Sequence, residues 1–311
     1  AKSSSSSTTP PSQLPSPMLP LHQPQGGPCG VLAVLQAEIL RSFYHTEPAG
    51  LSANGPFHLA QGIMQVLERV AAPSNRIVLV QQPFHWNEPD WKQVIVSVDG
   101  LAESVSHWLP GFMGPNGLLM LVVSALLSHG LERVVASMDV PLPLIAEHDY
   151  CAMELVNLLL AGGCYSNVFD GVRETDGLRL GGIPQQLPIG FLSLFEYYGY
   201  VEVGKNAKNP LYPLWVVCSE SHYTVLYATE SWETRKEKEE KGKEPIQLHY
   251  YDTLARQEED IILELSQTGG EGTTKNPASP VALNDRPPLE CCLATKWPSV
   301  QVKWINSDPL L

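Results

Sequence analysis

The sequence has little positive charge and no long hydrophobic run. Lys and Arg number 20 against 33 Asp and Glu in 311 residues, which gives a formal net charge of −13. Nucleic-acid binders need a basic footprint, so we expect no nucleic acid, and an acidic surface instead suits a basic protein partner. The longest apolar run, Leu118 to Leu127, holds ten residues where a bilayer span needs about twenty, so no membrane insertion is expected.

The patterns of disulfide scaffolds, metal sites and nucleotide sites are also missing. Six cysteines are too few and too scattered to staple a chain of this length, none forms a C-x-x-C pair, and adjacent Cys291 and Cys292 do not have zinc spacing. There is no Gly-rich phosphate loop. We therefore expect no metal and no cofactor. Without an apolar signal segment near Ala1, we expect an intracellular protein with reduced thiols, cytoplasmic or nuclear.

Composition predicts a leader followed by one large domain. Residues 1–20 are rich in Ser, Thr and Pro, have little to bury, and are predicted to be disordered. Residues 21–311 hold enough apolar residues for a sizeable core and are interpreted as one folded domain. Two polar stretches, 233–244 with charges of both signs and 267–288 rich in Gly, Thr, Asn and Pro, are predicted to be flexible insertions.

Hydrophobic periodicity predicts helices first and strands later. Helical spacing is found in residues 29–44, 57–72, 101–108, 116–128, 153–161 and 190–197. Strand-like patterns occupy residues 76–80, 93–98, 214–218, 223–227, 246–251, 261–265 and 300–304. This order favours an α+β fold with a mainly antiparallel sheet.

A cysteine at the start of the first helix is the leading candidate for a reactive group. Cys29 follows a turn of Gly and Pro and opens a helix that is apolar nearly all round. Free N–H groups and the helix dipole favour the nucleophilic thiolate at this position. Gln23, six residues upstream, could form an oxyanion hole with the Cys29 N–H, and Gln25 is its rival. Taken alone, such a cysteine can equally be a small buried residue.

A histidine and an aspartate on two later strands could complete a catalytic group. His222 begins an alternating strand, where its imidazole can reach a cleft and act as a general base. If the strand that ends at Tyr251 pairs with it, Asp252 would come near the ring and orient it. Asp252 could instead cap a turn after the strand. By strand alternation, His249 should face away from Asp252.

These segments together resemble the MINDY family of deubiquitinases, in the branch of its third and fourth human members. The resemblance is carried by residues 23–32, 190–199, 213–222, 250–252 and 295–311, in the family's order. It implies a papain-like cysteine isopeptidase that trims polyubiquitin and prefers lysine-48-linked chains. Carried over by position, Cys29 matches the nucleophile, His222 the general base and Gln23 the oxyanion glutamine, while Asp252 lies on the strand that follows the histidine.

The resemblance makes ubiquitin and polyubiquitin the expected partners. Glu196 and Glu220 are candidates for contacts with ubiquitin's arginine-bearing tail. The alternatives are a catalytically inactive ubiquitin-binding pseudoenzyme of the same fold and a papain-like protease for ordinary peptides. The presence of Cys29, His222 and Gln23 favours the active enzyme.

Overall fold

The first half of the chain is helical and the second half supplies most of the sheet, as the periodicity predicts. The computed structural model describes residues 21, 27–46, 55–81, 92–147, 150–234, 245–255, 257, 259–267 and 286–309. The helices are α1 (Cys29–His45), α2 (Gly55–Ala71), α3 (Leu101–Phe112), α4 (Gly117–His129), α5 (Leu131–Ala136), α6 (Met153–Ala161), α7 (Leu194–Tyr197), α8 (Lys205–Lys208) and α9 (Pro288–Lys296). The strands are β1 (Ile77–Gln81), β2 (Lys92–Val96), β3 (Val172–Thr175), β4 (Leu178–Gly181), β5 (Gly190–Ser193), β6 (Leu214–Ser219), β7 (His222–Tyr227), β8 (Ile246–Tyr251), β9 (Ile261–Gln267) and β10 (Val300–Trp304).

One six-stranded sheet organises the fold. Its order is β10-β9-β8-β7-β6-β5, and every neighbouring pair is antiparallel except β5 and β6, which run parallel. The α+β prediction with a mainly antiparallel sheet is therefore confirmed. β1 with β2 and β3 with β4 form two small antiparallel pairs.

Each face of this sheet carries its own hydrophobic core. On one face, alternate residues such as Val216, Tyr223 and Val225 pack with the helices α1, α2, α4 and α6. On the other, Trp215, Val217 and their neighbours pack with α7 and α9. Because strand side chains alternate between faces, a strand buried on both sides reads as a continuous apolar run, as β6 does.

The prediction of a helix at 190–197 is wrong in its first half. Gly190–Ser193 is a fully buried edge strand, and only Leu194–Tyr197 is helical. Gly190 has no room for a side chain, since a Cβ there would lie 2.4 Å from the Trp215 ring and 2.4 Å from the Ala207 carbonyl oxygen. The Ser193 hydroxyl accepts a hydrogen bond from the Phe195 N–H at 3.1 Å and caps the helix that follows.

A buried ion cluster anchors α1, the helix that carries Cys29. Glu38 is fully buried and pairs with Arg41 of the same helix at 2.6 Å and with Arg69 of α2. Burial alone would raise the pKa of Glu38, but the two arginines outweigh it and the pKa is lowered. Arg69 also donates to the Leu159 carbonyl of α6 at 2.5 Å. The cluster thus ties three helices together beneath the site.

Several predictions concern residues outside the described ranges. The predicted leader, residues 1–20, lies outside them, as do 235–244 and 268–285, which make up most of the two predicted insertions. The second predicted insertion, 267–288, begins at the last residue of β9 and ends at the first residue of α9. That helix was not predicted.

Candidate active site

Cys29, His222 and Asp252 meet at one end of the large sheet. Cys29 is the first residue of α1, His222 is the first of β7, and Asp252 directly follows the last residue of β8. β7 and β8 are antiparallel with Val225 opposite Tyr251, so the start of one strand lies beside the end of the other. The three side chains that the sequence singled out are therefore neighbours.

Cys29 is held at the helix start with its sulfur against the β6–β7 turn. The residue is buried, and its Sγ lies 3.8 Å from the Ser221 carbonyl oxygen. The positive end of the α1 dipole points at this sulfur, and the first turn of the helix holds no acidic residue, an arrangement that stabilises negative charge. The next residue must be small, because a Cβ on Gly30 would lie 2.8 Å from Val156 Cγ2 and 3.1 Å from Cys151 Cβ.

His222 is bound on its far side by Asp252. Its Nε2 lies 2.7 Å from Asp252 Oδ1. The hydrogen bond to Asp252, and after it the hydrogen bond to Cys29, raise the pKa of His222 to about 9, against an opposing effect of burial. The ring is therefore protonated at neutral pH. Because Nε2 is engaged by the carboxylate, Nδ1 is the nitrogen left for the thiol.

Asp252 makes the contacts expected for both of its predicted roles, orienting the His222 ring and capping the turn after β8. Its Oδ1 accepts from the His222 ring and also from the Leu254 N–H, at 2.8 Å, as in a turn-capping aspartate. Its backbone N–H donates to Gln257 Oε1 at 2.5 Å. One carboxylate oxygen thus joins the histidine to the turn that follows β8.

The oxyanion side of the site is only partly described. Gln23 and Gln25 lie outside the described residues. The backbone N–H of Cys29, expected as the second oxyanion donor, instead donates to the Gly27 carbonyl oxygen at 2.7 Å. In this conformation the Cys29 N–H is not free for a substrate, because it closes a tight three-residue turn, residues 27–29, at the start of α1.

Two acidic residues with the same expected role differ in the structure. Glu196 is half-buried, pairs with Lys208 at 2.8 Å and accepts from the Val203 N–H at 2.9 Å, so it serves the fold. Glu220 is exposed in the turn next to Ser221. One oxygen of the Glu196 carboxylate is therefore engaged within the fold, and contact of either glutamate with a substrate tail stays a prediction.

The other described histidines serve the packing or lie at the surface. His58, His129 and His45 bind Ser42, the Val70 carbonyl and the Ala228 carbonyl, respectively. His249 stacks on Tyr227 rather than facing Asp252, as strand alternation predicts. His22, His85 and His148 lie outside the described residues.

Sequence reasoning missed the residues that wall the nucleophile. Cys151 packs against the first turn of α1, and Cys218 is fully buried one strand away. Burial raises the pKa of both thiols to about 12, so they stay neutral beside Cys29. Tyr150 and Tyr223 complete this wall, and burial also raises the pKa of the Tyr150 phenol. No local motif marks these residues, because distant segments bring them together.

The described residues were searched for clustered metal ligands and for helices that could span a membrane. Among them, no group of three or more His, Cys, Asp or Glu residues is placed to hold a metal ion. None of the helices found there is both long and apolar enough to cross a membrane.

The sequence of this α+β protein matches the model of a known family. The model of the conserved domain of deubiquitinating enzyme MINDY-3/4 matches residues 92–306, and the chain belongs to this family. The matched region includes His222 and Asp252 and begins after Cys29.

Curated relatives extend the similarity to the first helix. The chain is 35% identical to the probable ubiquitin carboxyl-terminal hydrolase MINDY-4 of Mus musculus and 34% identical to that of Homo sapiens, over 93% of this chain and 41% of each relative. It is 30% identical to the ubiquitin carboxyl-terminal hydrolase MINDY-3 of Xenopus tropicalis over 68% of the chain and 57% of the relative. The chain spans about two-fifths of the length of the MINDY-4 relatives. No solved structure matches it significantly.

Proposed function

We propose that the chain is a cysteine isopeptidase of papain-like design that hydrolyses the bond between ubiquitin's terminal glycine and a lysine amine. Residues 21–311 are the catalytic unit, and lysine-48-linked polyubiquitin is the preferred substrate. The observation that carries the proposal is the contact chain from the Cys29 sulfur through His222 to Asp252 at one end of the sheet. The names of the family and of its curated members support ubiquitin as the substrate.

In the first step, the Cys29 thiolate attacks the carbonyl carbon of the isopeptide bond. The new C–S bond gives a tetrahedral oxyanion, and the Gln23 amide and the Cys29 N–H are its proposed donors. Because the Cys29 N–H is bound to the Gly27 carbonyl, that carbonyl must turn away before the donor is free. The C–N bond then breaks as His222 gives its proton to the leaving lysine amine, which leaves a thioester.

In the second step, water attacks the thioester. Neutral His222 takes one proton from the water, and the C–S bond breaks to release the carboxylic acid and the Cys29 thiolate. The acid gives the second proton of the water to solvent, so the products are ubiquitin's carboxylate and the imidazolium–thiolate pair. Asp252 stabilises the imidazolium and holds the ring so that one nitrogen faces the sulfur in both steps.

A ubiquitin probe with an electrophilic C-terminus tests this function. Wild-type protein should be captured covalently, and peptide mass analysis should locate the adduct on Cys29. Cys29→Ala should abolish capture and hydrolysis of lysine-48-linked di-ubiquitin while it keeps the fold, because alanine is small and a good helix former. Cys164→Ala, which removes a buried thiol elsewhere, is the matched control and should be captured normally.

The same experiment separates the alternatives. Ubiquitin that binds without covalent capture would indicate an inactive binding module. Turnover of short fluorogenic peptides without ubiquitin would indicate a general peptidase. A panel of di-ubiquitins with different linkages tests the proposed preference for lysine-48-linked chains.

A further inference from the structure

A pocket lined by aromatic side chains lies at the end of the sheet opposite Cys29. It has a volume of about 420 Å³ and lies where α1 ends, beside the start of β6 and the end of β7. Tyr44 and His45 come from α1, Tyr212 precedes β6, and Trp232 follows β7. The 17 residues of α1, at about 1.5 Å each, separate this pocket from Cys29 by roughly 24 Å. The pocket is therefore distinct from the candidate active site.

The rings in this pocket form an aromatic wall. The centroid of the His45 ring lies 6.3 Å from that of Tyr44 and 5.9 Å from that of Tyr212. The Trp232 ring is fixed in place, because it meets Trp215 edge-on at 5.8 Å and its indole N–H donates to a backbone carbonyl at 3.1 Å. The face of an aromatic ring attracts cations, so the wall is suited to a positively charged group.

The charges around the pocket also favour a cation. The C-terminal end of α1 places the negative end of the helix dipole here, and the basic residue of its last turn is His45. Burial lowers the pKa of His45, so the ring is neutral at pH 7 and does not offset the dipole. Its Nε2 donates to the Ala228 carbonyl oxygen at 3.0 Å, which leaves Nδ1 without a proton. Glu233, exposed at the edge of the pocket, adds a carboxylate.

Two rings of the wall already contact cations of this chain. The Arg41 guanidinium carbon lies 5.2 Å from the centroid of the Tyr212 ring, and Lys296 Nζ lies 6.0 Å from that of Trp232. Both cations have partners inside the fold, since Arg41 pairs with Glu38 and Lys296 donates to a backbone carbonyl at 2.6 Å. The negative helix end and the Glu233 carboxylate are on hand for one more cation from outside.

The lining of the pocket distinguishes between kinds of cation. A plain ammonium group has three N–H donors, and burying it against ring faces costs the hydrogen bonds that it makes with water. A methylated ammonium group has fewer N–H donors or none, and aromatic cages are its usual binding sites. Leu211, which is 53% exposed and lines the same pocket, offers apolar contact to an aliphatic stem.

We propose that this pocket binds the side chain of a methylated lysine on a partner protein. The aromatic wall contacts the methylated ammonium group, Glu233 balances its charge, and Leu211 contacts the four-carbon stem. The proposal is independent of the proposed function, because the pocket shares no residue with the Cys29 site.

Titration of the isotope-labelled full chain with small probes tests the pocket. The signal is the indole N–H resonance of Trp232, assigned by its loss in Trp232→Phe. The main probe is N-acetyl-trimethyllysine methylamide. It is compared with the same compound of unmodified lysine, with choline, and with a neutral analogue in which carbon replaces the charged nitrogen. The trimethyllysine probe should bind more tightly than each of these, by about tenfold against the neutral analogue, as for a desolvated cation–π contact.

Variants locate the binding in the pocket. Tyr212→Leu should weaken binding of the trimethyllysine probe about fivefold through the lost ring. Glu233→Gln should weaken it about threefold at low salt and less at high salt, as for an exposed charge pair. Tyr200→Leu and Glu132→Gln alter an exposed tyrosine and an exposed carboxylate elsewhere, and should leave binding unchanged. Thermal melts establish that each variant is folded, and the exposed Glu233→Gln tests the site even where Tyr212→Leu fails to fold.

The outcomes are distinct. Equally tight binding of the neutral analogue would overturn the cation site, and equally tight binding of unmodified lysine would overturn the preference for methylation. Equally tight binding of choline would overturn the assignment to a side chain. The whole proposal falls if no probe shifts the Trp232 resonance, or if Tyr212→Leu and Glu233→Gln both bind like wild type. None of these results bears on covalent capture at Cys29, which tests the proposed function separately.

Discussion

The two ends of strand β7 carry similar chemistry in different settings. At its start, His222 binds Asp252 at 2.7 Å beside Cys29. At its other end, the Tyr227 hydroxyl donates to Asp260, and the Tyr227 ring stacks on His249 with centroids 5.1 Å apart. His249 Nδ1 lies 3.7 Å from the same Asp260 carboxylate, too far for a hydrogen bond.

The difference shows that a histidine beside an aspartate is not by itself a candidate catalytic site. A reactive group must also lie next to the histidine, as the Cys29 thiol does next to His222. The side chains of His222 and His249 are 28% and 17% exposed, so burial alone does not separate them. At the first end α1 begins and supplies a thiol. At the second end α1 finishes and supplies Tyr44, whose ring packs on Tyr227. At the second end, the packed aromatic rings stabilise the sheet. At the first end, the Cys29 thiol and the His222 ring are placed to act on a substrate.

The largest expected difference between the two ends of β7 is in the effect of removing each histidine on the rate of hydrolysis. His222→Ala should reduce di-ubiquitin hydrolysis to the level of Cys29→Ala, because nucleophile and base act as one unit. His249→Ala should keep the rate per folded molecule and lower the melting temperature through lost stacking. Initial rates and thermal melts on both variants check this. Loss of activity in folded His249→Ala protein would overturn our distinction between the two ends.

The second largest effect should come from Gln23, the proposed oxyanion donor at the end of β7 that carries His222. Gln23→Ala should lower the hydrolysis rate by about 10²–10³, the usual cost of one oxyanion donor. Alkylation of Cys29 by iodoacetamide should be unaffected, since that reaction forms no oxyanion. Gln25→Ala is the matched control. A crippled Gln25→Ala with a normal Gln23→Ala would reverse the assignment.

The smallest effect concerns the charge of Asp252. Asp252→Asn keeps a side-chain oxygen for His222 and for the Leu254 N–H but removes the charged hydrogen bond to Asp252, which is the largest of the causes that raise the pKa of His222 to about 9, ahead of the hydrogen bond to Cys29. Because His222 must be protonated to release the lysine amine, the alkaline limb of the rate profile should move from about 9 down towards the ordinary histidine value, with a small loss at pH 7.

Asp252→Ala separates the two roles of this residue. It should lower the rate at pH 7 by about tenfold through the lost charged hydrogen bond. It should also lose stability by about 0.5–2 kcal/mol, as for a missing cap. Asp260→Asn at the other end of β7 is the control and should leave the pH profile in place. An unshifted profile in Asp252→Asn would mean that Asp252 serves only the turn.

Sequence patterns predicted most of the elements because their periodicity is local. The strands β6 to β10, and the helices α1, α2 and α6, lie where the spacing of apolar residues puts them. Gly190–Ser193 was predicted to be helical because its four residues are all buried, so their apolar pattern does not alternate as in a half-buried strand. A helical turn also follows them directly. The helix α9 begins inside a stretch rich in Pro, and its apolar face is set by packing on the sheet.

The same limit applies to the candidate site. Cys29, His222 and Asp252 could be proposed because each stands at a recognisable boundary of a helix or strand. The bond from the Cys29 N–H to Gly27, the burial of Glu196 and the thiols of Cys151 and Cys218 could not be proposed. They depend on turn geometry and on contacts between distant segments, for which residue type alone carries no signal.

The contact between the Cys29 sulfur and the Ser221 carbonyl joins residues 192 positions apart. Such a contact raises the contact order of the chain, and closing a loop of that length carries an entropy cost that short-range helices avoid. The nucleophile and the base therefore come together only when α1 docks against the turn between β6 and β7. Neither half expressed alone can hold the pair, and recovery of catalytic activity during refolding reports this docking.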